Sequence, residues 1–240
     1  MSSSNSLHVF DVDGVLTDRG MPIDLEFQEW FIQWGKTHQY GLLTGSDREK
    51  SIHQIGEDIV NNASISCHCM GNHIFFEGEE YFLNQFSLTT DELSFIEQYV
   101  QNSPYTFKNG NHIAYRKGSI NVSIAGRDCD DSIREHYRDF DTTTGERLNF
   151  IDQLTRKFPR LEGYLGGDTS IDICIRGGNK GNAMQLISFL PCHGIQDVYF
   201  YGDRIYEGGI DYPVTHYLPE FAWTQIDAGY HQIKGILEAE

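Results

Sequence analysis

Two aspartates stand two residues apart in Phe10-Asp11-Val12-Asp13-Gly14-Val15-Leu16-Thr17-Asp18, just after a short apolar run that includes Leu7 and Val9. The run predicts a buried strand and Gly14 a turn. Both carboxylates then lie at the carboxyl end of a strand, where open α/β sheets bind their ligands. Carboxylates so placed repel each other unless a cation or a shared proton relieves them. One division of labour fits: Asp11 attacks phosphorus, Asp13 shuttles a proton, and Mg²⁺ neutralises the site. The alternative is an ordinary surface turn, and the apolar strand and the Gly14 hinge weigh against it.

Further stations lie downstream. Leu42-Leu43-Thr44-Gly45-Ser46-Asp47 runs from a strand into a helix start, where hydroxyls and free N–H groups hold phosphate. Ser46 or Asp47 could equally serve as a helix cap. Lys180, within Gly177-Gly178-Asn179-Lys180-Gly181-Asn182, opens a helix, an end that favours anions over cations. That placement makes sense if lysine and helix end face a phosphate together. Gly202-Asp203 is followed eight residues later by Asp211. Mg²⁺ takes octahedral oxygen ligands and keeps some waters. Asp11, the backbone carbonyl of Asp13 and Asp203 are candidate ligands, with Asp211 binding directly or through water.

The elements that must position these residues follow a βαβ rhythm at the start: strand, helix within 24–35, strand at Tyr40–Thr44, helix within 47–56, strand near Ile65–Cys69. Such alternation implies parallel strands with helices on their faces. From Ile74 to Phe86 the chain reads as extended, with a hairpin turn near Glu77-Gly78. Thr89 and Glu92 form a capping box before a helix that runs through Gln98. His112–Ile124 gives two extended runs broken at Lys117-Gly118. Helices follow within 130–140 and 146–158, the second with Thr143 and Glu146 as a capping box, and Gly163–Ile175 is extended again. The parallel pattern then resumes with a helix over 180–190 that stops at Pro191, strands at Val198–Tyr201 and Phe221–Ile226, and a terminal helix. The predicted fold is α/β: a Rossmann-like parallel-sheet core over 1–80 and 177–240, with an inserted α+β cap over 81–176.

The chain has 240 residues, 39% of them apolar and 13% aromatic, enough for a real core. There is no apolar run of membrane-span length and the first six residues are polar, so neither a membrane span nor a secretory signal is expected. Eighteen basic against 35 acidic residues leave a net charge of −17, which disfavours nucleic acid and anionic membranes. It also repels a phosphorylated substrate, so binding one requires a local positive cluster. Arg116, Arg127 and Arg134 make such a cluster, and arginine forks hold phosphate bidentately. Salt bridges to Asp128, Asp130 and Asp131 are the alternative use for them. The five cysteines are odd in number. Cys67-His68-Cys69 could be a metal tract, but on a strand the two thiols share one face and pack. All five, Cys192 included, read as reduced thiols of a cytoplasmic protein.

Four stations in this order resemble those of the haloacid dehalogenase superfamily of phosphotransferases. The resemblance implies an aspartyl-phosphate on Asp11, acid–base work by Asp13, phosphoryl contact by Thr44, and charge offset by Lys180. The long glycine-bearing spacing between Asp203 and Asp211 resembles the eukaryote-type phosphomannomutases, which carry a type IIB cap. So do two cap segments, Tyr115-Arg116-Lys117-Gly118-Ser119-Ile120-Asn121-Val122-Ser123-Ile124-Ala125-Gly126-Arg127 and Gly166-Gly167-Asp168-Thr169-Ser170-Ile171-Asp172. The family implies phosphosugar binding by Ser46, Arg116, Asn121, Arg127, Arg134, Ser170 and Asp172, and a homodimer formed through the cap.

The expected activity is reversible exchange between hexose 6-phosphate and hexose 1-phosphate, with mannose preferred by resemblance. Cap closure would exclude water so that a sugar hydroxyl takes the phosphoryl group. Val15, Thr44, Met70, the lysine segment and Ile210 depart from the family pattern around the phosphoryl site. They keep a phosphosugar phosphatase as the alternative. A silent sugar-phosphate sensor is a third reading, against which Asp11, Asp13, Lys180 and Asp203 all argue.

Overall fold

The computed structural model describes residues 6–189 and 195–239, so Pro191 and Cys192 lie outside the described residues. The chain divides into two compact units, one running up to Leu83 and resuming at Asn179, the other covering Asn84–Gly178.

In the first unit the apolar run forms β1 (Ser6–Phe10), central in a seven-stranded sheet. On one side lies β2 (Gln39–Leu43), then β3 (Ile65–His68), all parallel. The hairpin β4 (His73–Phe76) and β5 (Glu79–Leu83) extends that edge antiparallel. Its turn falls at Glu77-Gly78, both at positive φ, as a tight hairpin turn requires. On the other side of β1 lie β10 (Asp197–Gly202) and β11 (Trp223–Gln225), again parallel. The carboxyl ends of β1, β2 and β10 therefore lie side by side at the point where chain order reverses, the ligand-binding crevice of open α/β sheets.

The helices of this unit are α1 (Leu25–Gly35), α2 (Arg48–Ile55), α3 (Glu57–Asn62), α7 (Lys180–Phe189) and α8 (Gly229–Glu238). Asp24 and Asp47 cap the first two through N–H bonds from Phe27 and Lys50. Of the two expected candidates at the second of these, Asp47 is thus the cap. Helix α3 was not expected, because Gly56 (φ 90) breaks the apolar period and restarts a helix of only six residues. One face of the sheet buries Phe10, Phe27, Phe31, Trp34 and Tyr40, and the other Leu7, Val9, Leu43 and Met184.

The second unit is a four-stranded antiparallel sheet of β6 (Ile113–Arg116), β7 (Ser119–Ser123), β8 (Leu161–Leu165) and β9 (Ser170–Ile175), ordered β6-β7-β9-β8. It packs with α4 (Thr90–Asn102), α5 (Asp131–Thr144) and α6 (Glu146–Lys157) around Tyr105, Tyr137, Phe150 and Leu154. The Thr89/Glu92 capping box forms with both reciprocal bonds. The expected Thr143/Glu146 box does not. Gly145, in the left-handed region at φ 64, joins α5 to α6. Thr143 turns back to the Asp139 carbonyl, and the buried Glu146 carboxylate accepts from Tyr137 and Ser103 instead.

Cys67 packs on β3, but β3 ends at His68, and Cys69 enters a tight turn at φ 50 rather than sharing a strand face. Among the described residues Cys67, Cys69, Cys129 and Cys174 are not joined by disulfides, and none belongs to a metal-type cluster.

Two buried histidines carry an acid liability. Burial pushes His8 from the ordinary 6.5 down to about 4, with His38 adding to it, and His68 from 6.5 down to about 3, with His73 and Arg48 adding to it. Both stay neutral in the folded protein while the unfolded chain takes up their protons near 6.5. Stability is therefore lost as pH falls from about 6.5 toward about 4, by up to ~1.4 kcal/mol per pH unit for each histidine. Urea melts across that window should show a shallower pH slope for His8→Phe than for wild type. An unchanged slope would contradict the assignment.

Candidate active site

The stations from three strand ends and one helix start converge. Asp11 directly follows β1, with its N–H bound to the Tyr201 carbonyl on β10 and its Oδ1 accepting the Val12 N–H at 2.7 Å. Lys180, the first residue of α7, is fully buried, and its ammonium lies 2.7 Å from Asp11 Oδ2 and 2.7 Å from Asp211 Oδ1. Asp211 Oδ2 accepts the Arg204 N–H at 3.0 Å. Asp203, directly after β10, completes the group. One oxygen from each of Asp11, Asp203 and Asp211 lies within 4.8 Å of the others, and all three residues are buried. Gly14 makes this approach possible twice over. Its φ is +84, and a Cβ there would stand 2.3 Å from Asp203 Oδ2.

Burial, with Asp211 and Asp203 alongside and Lys180 opposing, pushes Asp11 up to about 7. Burial and Asp211 also raise Asp203. Burial would lower Lys180, but Asp11 and Asp211 hold it above the ordinary lysine range, so it remains an ammonium. Arg19 adds a second cation, with its Nε 2.6 Å from Asp203 Oδ2. Arg204 lies 4.0 Å from the same Asp203 oxygen, so three cations surround a buried, all-oxygen donor set of three carboxylates. That chemistry suits a hard divalent cation.

The other core residues divide. Thr44 follows β2 and is buried, with its Oγ1 accepting the Ser46 N–H at 3.1 Å. The Asp13 carboxylate stands outside the three-carboxylate group. It accepts from Lys50 Nζ and Gln54 Nε2 at 2.8 Å each, from the Gly20 N–H at 2.9 Å, and from Ser46 Oγ at 3.4 Å. Burial would raise its pKa, but Lys50, Gln54 and Gly20 together hold it below the usual value. Ser46, expected to meet substrate, is buried and joins Asp13 to Lys50, whose Nζ lies 2.9 Å from its Oγ. Lys50, Gln54 and Arg19 escaped the sequence reading. The available signal was the spacing of Lys50 and Gln54 on one helix face just past the Asp47 cap, and the basic Arg19 in an acidic loop.

The cap unit assembles its own group. Asn121 on β7 and Asp172 on β9 are register partners. Asp172 Oδ1 accepts from Arg116 at 2.9 Å and from Asn121 Nδ2 at 2.8 Å. Asn121 Oδ1 accepts from Arg127, and Arg134 donates to the Arg127 carbonyl at 2.9 Å. Asn121 is buried with both ends of its amide used internally, so it orients Arg127 and Asp172. Asp128 and Asp130 do not take up these arginines in salt bridges. They bind the N–H groups of Asn111 and Ile133. Ser170 opens β9 and its Oγ accepts the Gly167 N–H at 3.1 Å. A Cβ on Gly166 would fall 2.4 Å from Asp172 Oδ2. Burial lowers the Arg127 pKa, and the neighbouring Arg116 and Arg134 lower it further, which marks a concentration of positive charge.

A parallel core sheet with an inserted antiparallel module, and aspartates gathered at the strand ends, define an enzyme of the haloacid dehalogenase superfamily. The fold is shared with the C-terminal domain of trehalose-6-phosphate phosphatase from C. albicans, at a TM-score of 0.65 and 14% identity over 98% of this chain and 91% of that one. It is also shared with a haloacid dehalogenase subclass IIB sugar phosphatase, at a TM-score of 0.61 and 13% identity over 96% and 90%. The profile of eukaryotic phosphomannomutase matches residues 27–220, and the chain belongs to that family. Phosphomannomutase of Spinacia oleracea is 27% identical over 214 residues, covering 86% of this chain and 84% of its own.

Removing Lys180 would leave two buried carboxylates facing each other without their cation. Lys180→Met should lose about 3–5 kcal/mol of unfolding free energy in metal-free buffer near pH 8. Denaturant melts check this, and a loss under ~1 kcal/mol would contradict the central place given to this ion pair.

Proposed function

We propose that the protein interconverts hexose 6-phosphate and hexose 1-phosphate, mannose preferred, through an aspartyl-phosphate on Asp11. The observation that carries this reading is the occurrence of two phosphate-handling groups in one strongly acidic chain. One is the Asp11–Lys180–Asp211–Asp203 group. The other is the Arg116–Arg127–Arg134 group of the cap unit. A mutase works on a sugar that carries phosphate at either end, so it needs both. The family membership supports the same substrate class.

In the forward half-reaction an Asp11 carboxylate oxygen bonds to phosphorus of a phosphoryl donor as the bond from phosphorus to the sugar oxygen breaks. Asp13 gives that leaving oxygen the proton it took from the accepting sugar hydroxyl in the preceding half-reaction. In the return half-reaction Asp13 takes the proton of the accepting sugar hydroxyl as that oxygen bonds to phosphorus and releases Asp11. Lys180 offsets the charge on Asp11 and the phosphoryl group, and Thr44 contacts the phosphoryl oxygens. Asp11, Asp203, Asp211 and the carbonyl of Asp13 would hold Mg²⁺, which supplies Lewis-acid neutralisation of the phosphoryl charge. In the cap unit, Arg116, Arg127 and Arg134 would bind the non-reacting phosphate, with Ser170 and Asp172 toward the sugar. A cytoplasmic setting is part of the same reading, and the family relationship favours a homodimer paired through the cap.

³¹P NMR with mannose 1-phosphate, Mg²⁺ and catalytic glucose 1,6-bisphosphate tests the reading. A growing 6-phosphate signal without inorganic phosphate is the expected result, whereas inorganic phosphate as sole product makes the protein a phosphosugar phosphatase. Asp11→Asn should abolish either activity, and wild-type turnover in that variant would overturn the nucleophile assignment. Arg127→Ala removes a charge-assisted contact and should raise KM for mannose 1-phosphate by about ten- to a hundredfold. An unchanged KM would remove Arg127 from the binding group.

A further inference from the structure

We propose that Lys50 and Gln54 of α2 are positioning residues that hold the Asp13 carboxylate in place for proton transfer. The inference rests on the acid–base role given to Asp13 above. Asp13 lies only two residues beyond Asp11, yet its side chain does not join the Asp11–Asp203–Asp211 group. It is drawn instead to α2. Lys50 and Gln54 are four residues apart, which places them on the same helix face one turn from each other.

Their bonds divide the carboxylate between them. Gln54 Nε2 donates to Oδ1 at 2.8 Å, and the Gly20 N–H supports the same oxygen at 2.9 Å. Lys50 Nζ donates to Oδ2 at 2.8 Å, and Ser46 Oγ approaches that oxygen at 3.4 Å. Lys50 also donates to Ser46 Oγ at 2.9 Å, so the lysine is tied to the start of its own helix. Gln54 is buried and donates a second time, to the Met21 carbonyl at 3.3 Å. Its amide is thereby fixed between the loop after β1 and the helix. Three close donors from α2 and the loop after β1 meet the carboxylate, fewer than the about four acceptor positions it offers.

The consequence is that α2, rather than the Asp11–Asp13 turn alone, sets where the proton-transferring oxygen stands. A catalytic group displaced by ~1 Å can lose about a hundredfold in rate, so removing either anchor should be felt in turnover. Among the described residues the Lys50 ammonium bonds Asp13 and Ser46 and not Asp11, Asp203 or Asp211, which separates this role from that of Lys180. The Lys50 side chain is 41% exposed, so its replacement leaves no cavity and no buried unpaired group in the fold.

The test measures kcat and KM for mannose 1-phosphate with Mg²⁺ and catalytic glucose 1,6-bisphosphate. Total product, as isomeric sugar phosphate plus inorganic phosphate, is followed by ³¹P NMR, so mutase and phosphatase are read alike. Lys50→Met and Gln54→Leu should each lower kcat by about ten- to a hundredfold while KM stays within about twofold. Lys50→Arg, which keeps a donor and a charge, should recover most of the loss. In an Asp13→Asn background, Lys50→Met should cost less than about twofold more, because residues that act through one another are not additive. Three results would each overturn the inference: wild-type kcat in Lys50→Met, a loss that falls on KM instead, or the same fold-loss in both backgrounds. Wild-type turnover in Asp13→Asn alone is a different failure, since it removes the acid–base role of Asp13 and the inference with it.

Discussion

A buried ammonium held between two carboxylates organises the core of this protein. Lys180 has no solvent exposure and lies 2.7 Å from both Asp11 and Asp211. An uncompensated charge at such a depth would cost several kcal/mol, so the strand ends that carry the carboxylates and the helix that carries the lysine have to arrive together. Local features follow from that demand. Gly202 must lack a side chain because a Cβ would come within 2.7 Å of Asp211 Oδ2. Gly181, the residue after the lysine, must do the same to let α7 approach the Pro213 carbonyl. Asp211 is fixed from its other side by the Arg204 N–H. The glycine-bearing loop between Asp203 and Asp211 is thus a device for bringing a second carboxylate under one lysine.

The same ion group explains why the site favours phosphoryl chemistry rather than simple structural pairing. Here Asp11 stays crowded enough that burial and its acidic neighbours push it up to about 7. Arg19 is bound to Asp203 from a half-exposed position.

Strand-end motifs made much of this legible in the sequence. Asp11, Lys180 and Asp203 each sit where an apolar strand or a helix pattern begins or stops, so their placement follows from periodicity and chain order. Asp211 is legible through its glycine-bearing loop. The anchors of Asp13 were not readable in that way. Lys50 and Gln54 look like ordinary helix-surface residues, and only the folded loop after β1 brings a carboxylate to their face. Asn121 has a part that sequence did not show. It is a buried bridge, because cross-strand register pairs it with Asp172 and its amide bonds both Asp172 and Arg127. The Thr143/Glu146 pair matched a capping pattern in letters, but the left-handed Gly145 between them placed the helix start elsewhere. Sequence spacing predicts a partner only where the backbone between the two residues is regular.

The cap unit meets the acidity of the chain by a different physical route. With a net charge of −17, the protein cannot attract a phosphorylated sugar through its overall field, so the attraction has to be built locally. Arg116, Arg127 and Arg134 are gathered through Asp172, Asn121 and a backbone carbonyl. Only one of those three tethers carries a negative charge. Neutral tethers fix guanidinium groups without cancelling them; burial lowers the Arg127 pKa most and its two arginine neighbours lower it further, while Asp172 and Asp128 act in the opposite direction. A set of arginines held together against their own repulsion is poised for an anion that relieves it. A dianionic phosphate does so better than a single carboxylate, because it offers more acceptor oxygens to converging forks.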